Sequence, residues 1–379
     1  SYEGKRLMRA RTCSIVILLL ISLLGCAGGK PGLNVAVEPL PQYDALFTGE
    51  DGWTGADGAY SVALNRGKIA WFFGDTWVGQ IKNGRHVNAV LVNNSVAIQH
   101  GRRPQDARIN FYLGRDADGS HAALIKPADG RGWFWLFDGV LTAKGLYLFL
   151  IQVERTAGND AFDFRVVGNW LAYVENPADL PSAWRVRQTP VPWSKFAAAG
   201  SILWGSAVLQ IDNVLYIYGT TEDTGGTHPE KNMILARVPA SELGDFSRWQ
   251  FYADGRWVPD FRKVRRLGVN IPHEYSVSYL PALKQFAAVY SRDGLSKHIL
   301  ARLSPEPQGP WSEPIRLYQC PEAEWDRSNF CYAAKAHAIL SQSPDELIIT
   351  YIANSVDFDK AANDARLYRP RFLRVRFTE

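Results

Sequence analysis

Leu171-Ala172-Tyr173-Val174, running on through Pro177 to Trp184, decides the fold because it returns twice. Leu235-Ala236-Arg237-Val238 runs through Pro239 to Trp249, and Leu300-Ala301-Arg302-Leu303 through Pro305 to Trp311. The three starts are 64 and 65 residues apart. A fixed period of this size marks an architecture in which each unit buries its apolar face against the next.

Upstream of each segment lies a second echo, a small or polar start, an apolar strand, a turn and an aromatic-rich strand. These are Asp138-Gly139-Val140-Leu141 before Leu146-Tyr147-Leu148-Phe149, Gly205-Ser206-Ala207-Val208 before Leu215-Tyr216-Ile217-Tyr218, and Glu274-Tyr275-Ser276-Val277 before Phe286-Ala287-Ala288-Val289-Tyr290. Further outward, Asp57-Gly58-Ala59-Tyr60 precedes Ile69-Ala70-Trp71-Phe72-Phe73, and Lys335-Ala336-His337 precedes Leu347-Ile348-Ile349-Thr350-Tyr351. Five units of about four short strands each, rich in β-branched and aromatic residues, predict an all-β, five-bladed β-propeller. A β-sandwich with insertions is also strand-rich but does not predict the recurring Leu-Ala, Pro and Trp. Trp184, Trp249 and Trp311 recur with the unit and read as packing between blades. Helical turns are expected only near residues 240–243 and 358–363.

The chain has 379 residues, 46% hydrophobic and 12% aromatic, which excludes disorder for the bulk of it. The formal charge is +4, but Lys5, Arg6, Arg9 and Arg11 stand against Glu3 in the first 25 residues, so the remainder is nearly neutral. A nucleic-acid partner is therefore not expected, and the internal basic run Arg262, Lys263, Arg265 and Arg266 reads as a solvated loop. The basic start leads into Ile15-Val16-Ile17-Leu18-Leu19-Leu20-Ile21, then Leu23-Leu24-Gly25-Cys26, an apolar run too short to span a bilayer comfortably. It resembles the lipobox of bacterial lipoproteins. That resemblance implies a signal peptide over 1–25 and a lipidated Cys26; the Gly- and Pro-rich stretch that follows reads as a flexible tether over 26–46, which leaves 47–379 for the five-bladed propeller as the functional domain. The implied location is the bacterial cell envelope, with the membrane reached through the lipid anchor. Export leaves Cys320 and Cys331 in the folded part, where one disulfide is expected. No second cysteine pair or neighbouring His at ligand spacing supports a metal site.

In a propeller the equivalent ends of the inner strands converge on the axis. The residues expected to open those strands are Asp57, Asp138, Gly205 with Ser206, Glu274, and Lys335 with His337. Asp75, in Phe73-Gly74-Asp75-Thr76-Trp77, is expected to end the second strand of the first blade and return to the same place. Acids crowded around one axis raise at least one pKa, and glycoside hydrolysis needs one carboxylic acid and one carboxylate. The candidate catalytic residues are thus Asp57, Asp75, Glu274 and Asp138. Trp53, Trp77 and Trp204 are candidate sugar platforms, and Ser206, Lys335 and His337 candidate substrate contacts. Each has a structural alternative. Asp75 and Asp138 suit turns, Lys335 neutralises the acids, and His337 is either a hydrogen-bonded core residue or orients a carboxylate or a central ion. Neither a His-Glu-x-x-His motif nor a Gly-x-Ser-x-Gly elbow occurs, and the sialidase box is lacking.

Gly55-Ala56-Asp57-Gly58, Phe73-Gly74-Asp75-Thr76, Phe137-Asp138-Gly139, Trp204-Gly205-Ser206, Gly309-Pro310-Trp311 and Ala334-Lys335-Ala336-His337 resemble the motifs of an exported bacterial family, domain of unknown function 4185. That family is similar in fold to five-bladed arabinanases and xylosidases, and some members are endo-D-arabinanases. Over about residues 45–379, the resemblance implies hydrolysis of a furanoside-rich polysaccharide, with Asp57 and Asp75 as the catalytic carboxylates; inversion is expected because similar propellers use water directly, and a monomer is expected. No cofactor is required, and an axial calcium ion is left open. The alternatives are a non-catalytic surface glycan-binding propeller and a structural scaffold for envelope assembly.

Overall fold

Each Leu-Ala segment belongs to the third strand of a blade, within Phe164–Val174, Glu230–Pro239 and His298–Ser304. The computed structural model describes residues 32–158, 163–224 and 230–378 and sets these strands in successive blades of a five-bladed β-propeller. The innermost strands are Asp51–Ala63, Trp133–Thr142, Gly200–Ile211, Tyr275–Leu280 and Asn329–Ala336. Each touches the next around the ring, and the fifth touches the first. From each, antiparallel partners fan outward.

Because every blade is covered on both faces by its neighbours, its middle strands read as continuous apolar runs rather than alternating ones. In Gly145–Arg155 the first nine residues, through Val153, are all buried. Trp249 shows how the repeat packs. It is buried between blades two and three against Phe149 and Trp204, with its Nε1 donating to the Leu243 carbonyl at 3.0 Å. Trp184 and Trp311 are partly buried against the same kind of interface.

The ring is closed by residues expected to be tether. Asn34–Pro39 is the outermost strand of blade five, paired antiparallel with Pro370–Thr378 from Asn34 opposite Thr378 to Pro39 opposite Leu373. Its one proline, Pro39, is tolerated because an edge strand leaves one row of backbone groups without a ladder partner. The helical turn Pro41–Asp44 and the turn Ala45–Phe47 follow, and bury Tyr43 and Phe47. The expected tether 26–46 is therefore corrected: its second half is part of the propeller. The expected signal peptide and Cys26 lie outside the described residues.

Short helical turns at Ala240–Glu242 and Phe358–Asn363 stand where the sequence places them. A disulfide joins Cys320 to Cys331, tying the end of blade four to the inner strand of blade five.

Candidate active site

Four of the five inner strands break register at the same level. The bulges fall around Asp57 and Gly58, at Phe137 and Asp138, at Gly205 and Ser206, and at Ala333 and Ala334. A bulge re-aims the side chains beside it. Charged residues therefore meet at mid-strand rather than at the strand starts. On one side of this level lies a cleft of about 890 Å³, and on the other an axial cavity of about 420 Å³.

Asp57, Asp75 and Glu274 face the cleft together. Asp57 Oδ2 accepts hydrogen bonds from the Tyr332 hydroxyl at 2.8 Å and the Tyr368 hydroxyl at 3.0 Å. Burial, with the charges of Asp75 and Glu274 beside it, pushes the Asp57 carboxyl well above the usual carboxylate range despite those two bonds. Asp75 does not end its strand. Lys68–Lys82 continues past it, and Asp75 sits where the partner changes from Ser95–His100 to Arg85–Val92. Its Oδ1 accepts from Trp135 Nε1 at 2.9 Å and Asn93 Nδ2 at 3.2 Å. Burial raises its pKa to about 6, with those two donors opposing.

The backbone is tuned to hold this pair. A Cβ at Gly74 would collide with Asp57 Oδ1, so glycine there leaves the space that the Asp57 carboxyl occupies. Tyr368 has φ 61° and Ala333, next to Tyr332, φ 58°. Left-handed backbone at a non-glycine residue costs of order 1–3 kcal/mol and persists where the surroundings enforce it. Both strained positions carry or adjoin a tyrosine bound to Asp57.

Glu274 pairs with Lys335 Nζ at 3.1 Å. Lys335 is buried, donates also to the Ala333 carbonyl at 2.9 Å, and lies 4.3 Å from the Tyr60 ring centre. Burial lowers its pKa, opposed by Glu274, Asp57 and Asp138. Its ammonium thus reaches groups from blades one, two and four and takes the axial position. A calcium ion there would meet this cation, and the residues present do not fit one.

Other expected residues lie elsewhere. Asp138 lines the axial cavity, not the cleft, and its carboxylate ties blade two to blade three by accepting from Gly139 N at 2.8 Å and Val208 N at 2.7 Å. Burial raises it to about 7. His337 also lines that cavity, its ring nitrogens bonded to the hydroxyls of Ser61 and Thr350 at 2.7 Å each, and burial lowers it to about 3. It is a core residue. Trp53 is buried against Phe111 with its Nε1 donating to Ser95 Oγ, and Trp204 is buried between blades with its Nε1 donating to the Trp193 carbonyl. Ser206 is buried in its bulge away from the cleft. Of the three proposed platforms Trp77 alone lines the cleft, between His86 and Phe358. Tyr332, Tyr368, Trp135 and Asn93 were not singled out in sequence. The first and third stand three residues before Lys335 and Asp138, on strands that begin earlier than the repeat suggests.

No curated protein matches the chain. A presumed hydrolase of Bacteroides ovatus is similar in fold, at 21% identity and a TM-score of 0.69 over 90% of both chains. The catalytic domain of a GH62 alpha-L-arabinofuranosidase of Coprinopsis cinerea is 12% identical, with a TM-score of 0.46 over 87% of this chain and 95% of that one. A GH43_1 enzyme of Xanthomonas citri is 12% identical, with a TM-score of 0.46 over 90% of each. The family model that matches is Domain of unknown function (DUF5005), across residues 41–377, and the chain belongs to that family.

Proposed function

We propose that this propeller is a glycoside hydrolase cleaving a furanoside-rich polysaccharide, with D-arabinan as the first substrate class to test. The observation that carries the reading is the Asp57–Asp75 pair, two acids of unlike environment at the floor of one aromatic-walled cleft. Asp57, its carboxyl pushed well above the usual carboxylate range by burial and two neighbouring acids, holds its proton more tightly than an ordinary carboxyl and serves as general acid. Its Oδ2 already accepts two tyrosine hydroxyls, so the transferable proton sits on Oδ1. Asp75, at about 6, is ionised at neutral pH and activates water as general base, which gives inversion. Trp135 holds Asp75 in place and lines the cleft wall beside it, while Trp77 lies buried between His86 and Phe358 and backs that wall. Glu274, paired with Lys335, contributes negative charge that favours the proton on Asp57. The preference for D-arabinan rests on the motifs around Asp57 and Asp75.

A binding-only propeller would use the aromatic walls but has no need of two acids held apart in protonation. The test is to incubate the protein with D-arabinan, L-arabinan and xylan and follow oligosaccharide release for wild type, Asp57→Asn and Asp75→Asn. Release by wild type and its loss in both variants is expected, with the first product's anomeric signal inverted by NMR. Binding without release removes the enzyme reading, and full activity in both variants removes the site assignment.

A further inference from the structure

Blade two turns one face of its strands to the cleft. Trp135 stands opposite Ile151, Trp133 opposite Val153, and Phe164 opposite Arg155. Opposed residues share a face and alternate residues along a strand return to it, so these six lie together, and all but Val153 line the cleft. Contacts along this face lead from Asp75 to Arg155. Trp135 Nε1 donates to Asp75 Oδ1 at 2.9 Å, and the Trp135 ring meets edge-on, at 4.9 Å, that of Phe164, the residue opposite Arg155. Glu154, on the other face, holds Arg131 at 2.7 Å and Arg165 at 3.5 Å, and among the described residues no carboxylate pairs with Arg155.

The charges facing Asp75 make that cation stand out. The acids that line the cleft with it are Asp57, Glu274 and Asp293, and the Tyr332 and Tyr368 hydroxyls are bonded to Asp57. Three side chains able to carry positive charge line the cleft, Arg155, Lys231 and His273. Lys231 lies 3.8 Å and His273 3.4 Å from Glu222, and burial lowers the His273 pKa. Lys335, on the axis, is held by Glu274. Arg155 is thus the cation of the cleft whose charge no other carboxylate takes up. Burial raises the Asp75 carboxyl, and Arg155 opposes that rise beside Trp135 and Asn93.

We propose that Arg155 is a positioning residue for Asp75, its guanidinium on the cleft face of blade two keeping that carboxylate charged and able to activate water. The catalytic half of this rests on the reading of Asp75 as general base. Arg155 is exposed, so replacing it leaves the core untouched.

The test follows the Asp75 carboxyl by carbon-13 NMR as pH is varied, in wild type, Arg155→Met and Arg155→Lys, with the resonance assigned by its loss in Asp75→Asn. In Arg155→Met the midpoint is expected to rise by roughly half a pH unit or more. Arg155→Lys keeps the charge and should return it most of the way. On D-arabinan, kcat/KM of Arg155→Met should fall more at about pH 5.5 than at pH 8. A midpoint that does not rise in Arg155→Met, or that Arg155→Lys fails to restore, would overturn the inference. So would a KM raised equally at every pH with the midpoint unmoved, the mark of a substrate contact. A midpoint that moves without any cleavage keeps the hold of Arg155 on Asp75 and removes the hydrolase, whereas cleavage with an unmoved midpoint does the reverse.

Discussion

Tyr332 Oη and Asp57 Oδ2 lie 2.8 Å apart, joining blade five to blade one across 275 residues of chain. The hydroxyl donates to the carboxylate, so it favours the charged form and restrains the rise that burial imposes. Tyr332→Phe should raise the Asp57 pKa further and make it a poorer proton donor. Loss of a hydrogen bond to a charged group is worth about 1.5–3 kcal/mol, so kcat/KM should fall roughly ten- to hundredfold. The alkaline limb of its pH profile should move upward. An unmoved limb would count against Asp57 as the acid.

The acidic limb belongs to Asp75. With its pKa raised to about 6, kcat/KM should climb with pH up to about 6 and then level off. Asn93 donates to Asp75 Oδ1 and lowers that pKa, so Asn93→Ala should move the limb upward. A pH–rate series on the two proteins checks the direction.

The same burial sets a stability trend. A carboxyl raised from 3.8 to about 6 binds its proton more tightly in the folded state, so stability is lost as pH rises through that window and the loss is complete above it. Trp135 and Asn93 both donate to Oδ1, an oxygen that asparagine keeps. Asp75→Asn should therefore be inactive yet more stable than wild type at pH 8, by up to about 3 kcal/mol. At pH 3.5 the difference should shrink, as paired melts would show.

The tryptophans separate core from cleft. Trp53 is buried between Phe73 and Phe111, so Trp53→Ala should cost about 3–5 kcal/mol of stability. Trp77 lines the cleft, and Trp77→Phe should raise KM several-fold with a smaller effect on melting. Denaturant unfolding beside Michaelis–Menten kinetics distinguishes the two.

The Leu-Ala repeat made the third strands legible because they are buried on both faces and tolerate little variation in pattern. The inner strands were harder. Their bulges consume residues without advancing the ladder, so a repeat aligned on apolar runs starts blades two and five at Asp138 and Lys335, when the strands begin at Trp133 and Asn329. Asp57, Asp75 and Glu274 were legible because acids beside apolar strands need a reason to be there. Tyr332 and Tyr368 were not, since a tyrosine in a propeller strand or in the bend beside one is ordinarily packing, and only the fold brings these two onto one carboxylate oxygen.

Asn34 faces Thr378 across the closing pair of blade five, so the two ends of the propeller are next-door neighbours. Topologically the domain is a circle opened at one seam. A short linker between those ends and a new opening at an exposed turn such as Asn83-Gly84 should leave every blade intact. The seam's place in blade five is then a matter of where the circle is cut, and the cleft does not depend on it.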